Sequence, residues 1–339
     1  MKIQTHNHDK NNSLNKKQNV LVLGGTGFIG RYVAKHLTQF GANVIIGTRN
    51  PNSGVMSLGY KLENRRCAIL QNLKTEDDLQ DLLEGVDVLV NAVGILRQRW
   101  QETYNQVHHQ AVKVLAEGCA QNDIRMVHVS VLELTNPLKS GFVSSKVRGE
   151  KALIASGANW ALVRPSLVDG QGGFGARWFR RVAKWPVQFI PNNMKGAFAP
   201  IDANDLGEAI ARIALMKDAE KTSADRIYEL GGAVHFDLKD YLNQLRPKGL
   251  KRAIQINVYP VLARIVSHVC DLLHVTPYSF GHYELLEYGS APKNNCLEQL
   301  LGRPARKIMP EKIIQKDTVR NAVEDAAHAQ VIPQHRQGV

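Results

Sequence analysis

The run Gly24-Gly25-Thr26-Gly27-Phe28-Ile29-Gly30 constrains this chain more than any other stretch of it. An apolar segment with strand character, Asn19 to Leu23, leads into it; a helical pattern through Leu37 follows, and then a second apolar run, Asn43 to Gly47. Strand, glycine turn, helix and strand within about thirty residues make one parallel crossover unit. In that setting Gly24 allows a tight turn, Gly27 lets backbone N–H groups approach a pyrophosphate with no Cβ in the way, and Gly30 lets the helix pack close to the strand. Phosphates at this place sit on the positive end of the helix dipole, beside Thr26, Phe28 and Ile29. A dinucleotide is therefore the expected ligand.

The alternation continues downstream. Cys67 to Leu70, Val86 to Ala92, Met126 to Ser130 and Trp160 to Arg164 read as further strands, with helices expected over Glu76 to Glu84, Tyr104 to Gln121 and Ser144 to Ser156. Buried-type strands alternating with helices predict an α/β Rossmann-type doubly wound parallel sheet. The pattern breaks at Gly170, resumes at Pro200-Ile201-Asp202 and ends at Gly231-Gly232; the remainder to about 310 is mainly helical in pattern. The expected division is a dinucleotide domain over 19–169 and 200–232, a substrate or partner region over 170–199 and 233–310, and polar tails over 1–18 and 311–339. No internal repeat is visible.

The second strand ends in Thr48-Arg49-Asn50-Pro51. An NAD-specific site would place a carboxylate there for the ribose 2′-hydroxyl, whereas Arg49 can pair with a 2′-phosphate, so NADP(H) is favoured over NAD(H). The alternative for Arg49 is a solvated loop residue.

Seven landmarks in order resemble the extended and atypical short-chain dehydrogenase/reductases. They are the glycines at 24 to 30, Asn91-Ala92-Val93-Gly94, Val127-His128-Val129-Ser130, Lys146 with Gly149-Glu150, Arg164-Pro165-Ser166, Pro200-Ile201-Asp202 with Asp205, and Tyr228-Glu229-Leu230-Gly231-Gly232. Within that family the chain is similar to the complex I accessory subunit nine-like group and its bacterial relatives, through Ser130-Val131-Leu132, Lys146 to Ala152 and Tyr259 to Arg264. The resemblance implies an adenine-side contact at Asn72, where the family has an acid, with Leu73 beside it. It also implies that Ala92, Val93 and Gly94 line the ribose and that Pro165, Ser166 and Val168 pass the nicotinamide. It brings in a link to respiratory or quinone metabolism, with a quinone or other lipid-like substrate.

The family's chemistry uses a tyrosine four residues before its lysine and a serine on the preceding strand. Lysine lowers the phenol pKa and binds ribose, the phenol moves the proton, and serine holds the carbonyl. Here the lysine is Lys146 and the serine Ser130, but the tyrosine position is Phe142. Losing a general acid costs roughly 10²- to 10⁴-fold, so turnover is expected to be weak or absent. Ser144, Ser145 or Tyr104 could substitute. The competing readings are an active NADPH-dependent reductase or nucleotide-sugar epimerase/dehydratase, and a non-enzymatic NADPH-sensing or assembly protein.

Among its 339 residues the chain carries 43 Lys plus Arg against 31 Asp plus Glu, a net charge of +12. Between Asp169 and Asp202 there is no acidic residue, while Arg177, Arg180, Arg181, Lys184 and Lys195 are interleaved with Trp178, Phe179, Trp185 and Phe189. That composition suits an anionic membrane surface, the wall of a pocket for an anionic or isoprenoid substrate, or a solvated face over packed aromatics. No nucleic-acid-binding module is recognisable, so nucleic acid is not expected. The four cysteines, Cys67, Cys119, Cys270 and Cys296, have neither disulfide nor zinc spacing, and no metal site is expected. With no secretory signal or uninterrupted apolar span, the expected location is cytoplasmic, or peripheral on the inner face of a membrane.

Overall fold

In Asn19–Leu23 (β1) successive side chains point to opposite faces, and both faces are apolar. Val20 and Val22 pack with Val33 and Leu37 of Phe28–Gln39 (α1) and with Leu206, Ile210 and Ile213 of Ala203–Leu215 (α6). Leu21 and Leu23 pack on the other side with Leu82 of Gln80–Leu83 (α2), Val112 and Leu115 of Ala111–Gln121 (α3), and Leu153 of Gly141–Ala155 (α4). A strand apolar on both faces needs a helix layer on each, which only a parallel, doubly wound sheet supplies.

This is the arrangement in the computed structural model, which describes residues 17–50, 64–73, 75, 77–99, 102–132, 140–194, 196–216, 224–273 and 280–310. Of the tails expected over 1–18 and 311–339, residues 1–16 and 311–339 lie outside the described residues, as do Lys195 and Glu76. The remaining strands of the main sheet are Asn43–Thr48 (β2), Arg65–Cys67 (β3), Val88–Asn91 (β4), Arg125–Val129 (β5), Trp160–Pro165 (β6) and, beyond the shorter elements Val168–Asp169 (β7), Val187–Pro191 (β8) and Ile201–Asp202 (β9), Ile227–Leu230 (β10). All seven run parallel in the order β10-β6-β5-β4-β1-β2-β3, with Leu23 opposite Gly47 on one side and Asn91 on the other. The order reverses at β1. The crevice beyond the carboxyl ends of β1 and β4 is therefore the topological switch point, where ligands bind in such sheets.

Several elements differ from the sequence reading. The third strand is shorter and earlier than Cys67 to Leu70, and a 3-10 turn at Leu70–Asn72 replaces its end. The helix expected over Tyr104 to Gln121 opens with a π-helical segment, Gln106–Gln110. The irregular 170–199 segment contains Phe174–Ala183 (α5) and β8, and β8 pairs in parallel with Ile254–Val258 (β11), more than sixty residues later. Leu238–Leu245 (α7), Pro260–Leu273 (α8) and Phe280–Tyr288 (α9) complete this second body, whose core includes Ala183, Ile190, Phe198, Tyr241, Leu242, Tyr283 and Leu286. The last helix, Leu297–Leu301 (α10), returns to the main sheet, burying Leu297 and Leu301 against α6.

Candidate dinucleotide site

The turn after β1 is held by its own backbone. Gly24 N donates to Gly47 O at 3.1 Å, Gly25 N to Val22 O at 3.2 Å and Gly27 N to Gly24 O at 2.8 Å. Gly24 has a φ of +73°, which L side chains rarely adopt, and a Cβ on it would press on Ala92 O and Val93 Cγ2. A Cβ on Gly30 would collide with the Gly24 carbonyl, so the close approach of α1 to the turn requires glycine there. Gly27 caps α1 without a side-chain hydrogen bond, and the first turn of α1 carries no acid. This leaves a bare helix N-terminus with its positive dipole end directed at the crevice. Thr26 Oγ1 lies 3.5 Å from Thr48 Oγ1, linking the turn to β2, and the Phe28 ring packs where a Cβ on Gly173 would stand. Ile29 is half-buried against the α1–α6 side of the core.

At the end of β2, Arg49 is exposed and forms an ion pair with Glu102. The carboxylate missing from β2 itself is thus brought to Arg49 by another loop, closed by a pair of hydrogen bonds between the backbones of Arg99 and Glu102. Nothing in the local sequence around Arg49 signals this. Asn72 is exposed at the turn after β3, and Leu73 beside it is buried.

The carboxyl ends of β4 and β5 and the first turns of α4 form the other half of the crevice. Asn91 is fully buried; its Oδ1 accepts from Val93 N at 3.1 Å, and its Nδ2 has no partner among the described residues. Ala92 N donates to Leu23 O at 3.1 Å, setting the Ala92-Val93-Gly94 backbone beside the glycine turn. Gly94 is next to Lys146: a Cβ there would stand 3.9 Å from Nζ. Ser130 is 3% exposed, and its Oγ has no partner among the described residues.

Lys146 Nζ lies 5.6 Å from the centroid of the Phe142 ring. Glu150, one turn further along α4, does not neutralise it by contact, because Arg164 Nε and Nη2 hold that carboxylate at 3.2 and 2.5 Å. Burial pushes the Lys146 ammonium down to about 8, partly offset by the charge of Glu150. Two buried imidazoles adjoin it. His108 is pushed down to about 2 and His128 to about 3, each mainly by burial and then by the charge of Lys146, so both rings are neutral. The tautomer of His108 follows from its neighbours: Nε2 accepts from Ile95 N at 3.1 Å, so Nδ1 donates to Ser145 Oγ at 3.1 Å, and that hydroxyl donates to Phe142 O at 2.8 Å. Ser145 is thereby committed to structure, and Ser144 Oγ donates to Gly141 O at 3.3 Å. Tyr104 stacks on His108 and meets Phe142 edge-on, while its hydroxyl donates to Leu96 O at 3.0 Å. Adjacent histidines in a helix gave no warning that His108 alone turns inward. Nor did the lone His128, which shares a face of its strand with Ser130.

Pro165 is buried at the end of β6, and Val168 is half-buried in β7 opposite Ile201 of β9. Ser166 Oγ donates to Ser290 O at 2.5 Å and accepts from Ala199 N at 3.2 Å, joining this wall to the second body. Glu284 of α9, missed in the sequence, accepts from Ser140 N at 2.9 Å and so fixes the start of α4, two residues before Phe142.

The residues present fit a nicotinamide dinucleotide: a glycine cradle in which a Cβ would collide with its neighbours, a bare helix N-terminus, the unpartnered buried Ser130 Oγ, and the buried Lys146 beside Gly94. Fold and site together define a dinucleotide-binding α/β protein. Residues 20–231 match the model of the NAD dependent epimerase/dehydratase family, and the chain belongs to that family. Subunit 9 of the NADH dehydrogenase [ubiquinone] 1 alpha subcomplex from Dictyostelium discoideum is 25% identical over 227 residues, 66% of this chain and 62% of that protein. The ceramide reductase of Caulobacter vibrioides is 29% identical over 154 residues, 45% of this chain and 47% of that one. The chain thus spans about half to two thirds of the length of these relatives. The NADPH complex of an NADPH-dependent quinone oxidoreductase from Escherichia coli shares the fold, with a TM-score of 0.61 and 20% identity over 85% of this chain and 96% of that one.

Proposed function

We propose that this chain is an NADP(H)-binding short-chain dehydrogenase/reductase of the atypical type, with slow turnover, serving respiratory or quinone-linked metabolism. The observation that carries the reading is Ser130 Oγ, buried and without a hydrogen-bond partner among the described residues, on the same crevice as the buried ammonium of Lys146. Buried polar groups are seldom left unsatisfied, and a bound ligand would satisfy this one. Gly24, Thr26, Gly27, Phe28, Ile29 and Gly30 would hold the pyrophosphate. Arg49 would exchange Glu102 for a 2′-phosphate, Asn72 and Leu73 would flank the adenine, and Ala92, Val93 and Gly94 would line the ribose. Pro165, Ser166 and Val168 would pass the nicotinamide. When bound, the reduced cofactor supplies a hydride. Lys146 holds the ribose hydroxyls, Ser130 donates to a carbonyl oxygen, and Phe142 shields that oxygen without offering a proton.

A quinone substrate is supported by what the relatives' names say of them, and a sensing or assembly role by Phe142, since a site without a proton donor can still bind. Single-turnover oxidation of NADPH by a soluble short-chain quinone tests the reading. The expected result is a slow reaction in the parent and one about 10²-fold or more faster in Phe142→Tyr. Fast turnover in the parent, unchanged by Phe142→Tyr, would contradict it.

A further inference from the structure

The two-stranded sheet of β8 and β11 has one buried face and one open face. Gln188 and Ile190 point inward, whereas Phe189, 62% exposed, stands opposite Ile256, and Ile254, 65% exposed, stands opposite Val187. The chain leaves β11 through the exposed Tyr259 into α8, where Val261, Leu262, Ile265 and Val266 are exposed while Ala263 is buried. Exposed apolar residues at that spacing mark one side of a helix. The strip therefore continues from the sheet onto the helix. Contiguous apolar surface on this scale marks an interaction site.

At the amino ends of the two strands its border is cationic, while on α8 Arg264 is paired with Glu287 of α9. Because β8 and β11 are parallel, the segments leading into them lie together, with Ile254 N donating to Pro186 O at 2.9 Å and Arg246 donating to Trp185 O and Lys251 O at 2.9 and 2.8 Å. Arg181, Lys184, Lys248, Lys251 and Arg252 are exposed there beside the half-exposed Trp185. No Asp or Glu occurs between Tyr241 and Cys270 or between Gly170 and Ile201. Arg180 is drawn inward to the buried Asp169, and Trp178 packs edge-on against Trp185, so α5 contributes only its outer residues, Arg177 among them.

We infer that the β8–β11 face and the adjoining side of α8 dock on an anionic lipid bilayer. Apolar side chains and an interfacial Trp and Tyr would enter the headgroup region while the bordering cations meet lipid phosphates. Charge complementarity selects this occupant. A second copy would set the same cations against one another, since a two-fold contact places identical patches face to face. At 14 residues α8 is too short to cross a bilayer, and no helix among the described residues is long and apolar enough to do so. The contact is therefore with the surface.

Flotation of the full-length protein with phosphatidylcholine vesicles, with and without phosphatidylglycerol, tests this proposal independently of the dinucleotide reading. Binding is expected only with phosphatidylglycerol, and high salt should weaken it. Lys251→Glu with Arg252→Glu should lower the partition coefficient about ten-fold or more. Ile256→Ser with Val261→Ser should lower it comparably while leaving the melting temperature unchanged. No flotation with anionic vesicles overturns the proposal, as does flotation indifferent to both pairs. So does a dimer in light scattering that Ile256→Ser dissolves, which would assign the face to a second copy.

Discussion

Lys146 is held in the crevice at a cost in stability. An ammonium held at about 8 instead of its ordinary 10.5 is unfavourable in the folded protein by an amount on the order of 3 kcal/mol. Its folded pKa lies below the unfolded one, so between about pH 8 and 10.5 the unfolded chain binds more protons and this group's contribution makes stability rise with pH. Below pH 8 the full cost is present. Replacing Lys146 by methionine keeps the apolar stem and removes the buried charge. Lys146→Met is expected to raise unfolding stability at pH 7 by about 1–3 kcal/mol in urea titrations, and to weaken NADPH binding. The advantage should vanish above about pH 10.5. A Lys146→Met protein less stable than the parent at pH 7 would show that the ammonium has protein partners after all. The lysine was legible in the sequence by its place after Phe142. The two neutral imidazoles beside it were not, because His108 on the π-helical segment and His128 on β5 are far apart in the chain and meet Lys146 only through tertiary packing.

At the scale of elements, the β1–α1 junction is the most determined part of the molecule. Gly30→Ala would drive a methyl into the Gly24 carbonyl, and because backbone yields less readily than a side chain the expected loss is about 1–3 kcal/mol, read as a lower urea midpoint. NADPH affinity should fall with it, since the turn that would hold the pyrophosphate must shift. An unaltered midpoint would mean that the turn is looser than its hydrogen bonds indicate. This junction could be read from sequence because every determinant lies within one crossover unit, and the apolar strands β1, β2, β4, β5 and β6 were legible for the same reason. The third strand was not. Arg65-Arg66-Cys67 is a polar edge strand with no apolar run to announce it. The β8–β11 pair depends on a register across more than sixty residues, and α9 reaches α4 through a single buried carboxylate, Glu284; no local period encodes either.

Taken whole, the molecule is a dinucleotide sheet whose ligand crevice is walled on one side by a second body. The net charge of +12 is distributed accordingly. Arg49 stands at the end of β2, paired with Glu102, and the cations of the second body border an apolar face. In the proposed NADP(H) site, Arg49 leaves Glu102 for the 2′-phosphate. Losing one guanidinium–phosphate contact typically removes about 1.5–3 kcal/mol, or roughly ten- to a hundred-fold in affinity. Calorimetric titration of NADPH and NADH into the parent and into Arg49→Ala decides this most directly. NADPH is expected to bind the parent more tightly than NADH, and Arg49→Ala to erase most of the difference while leaving NADH affinity nearly unchanged. Equal affinities in the parent, or a preference for NADPH that survives Arg49→Ala, would contradict it.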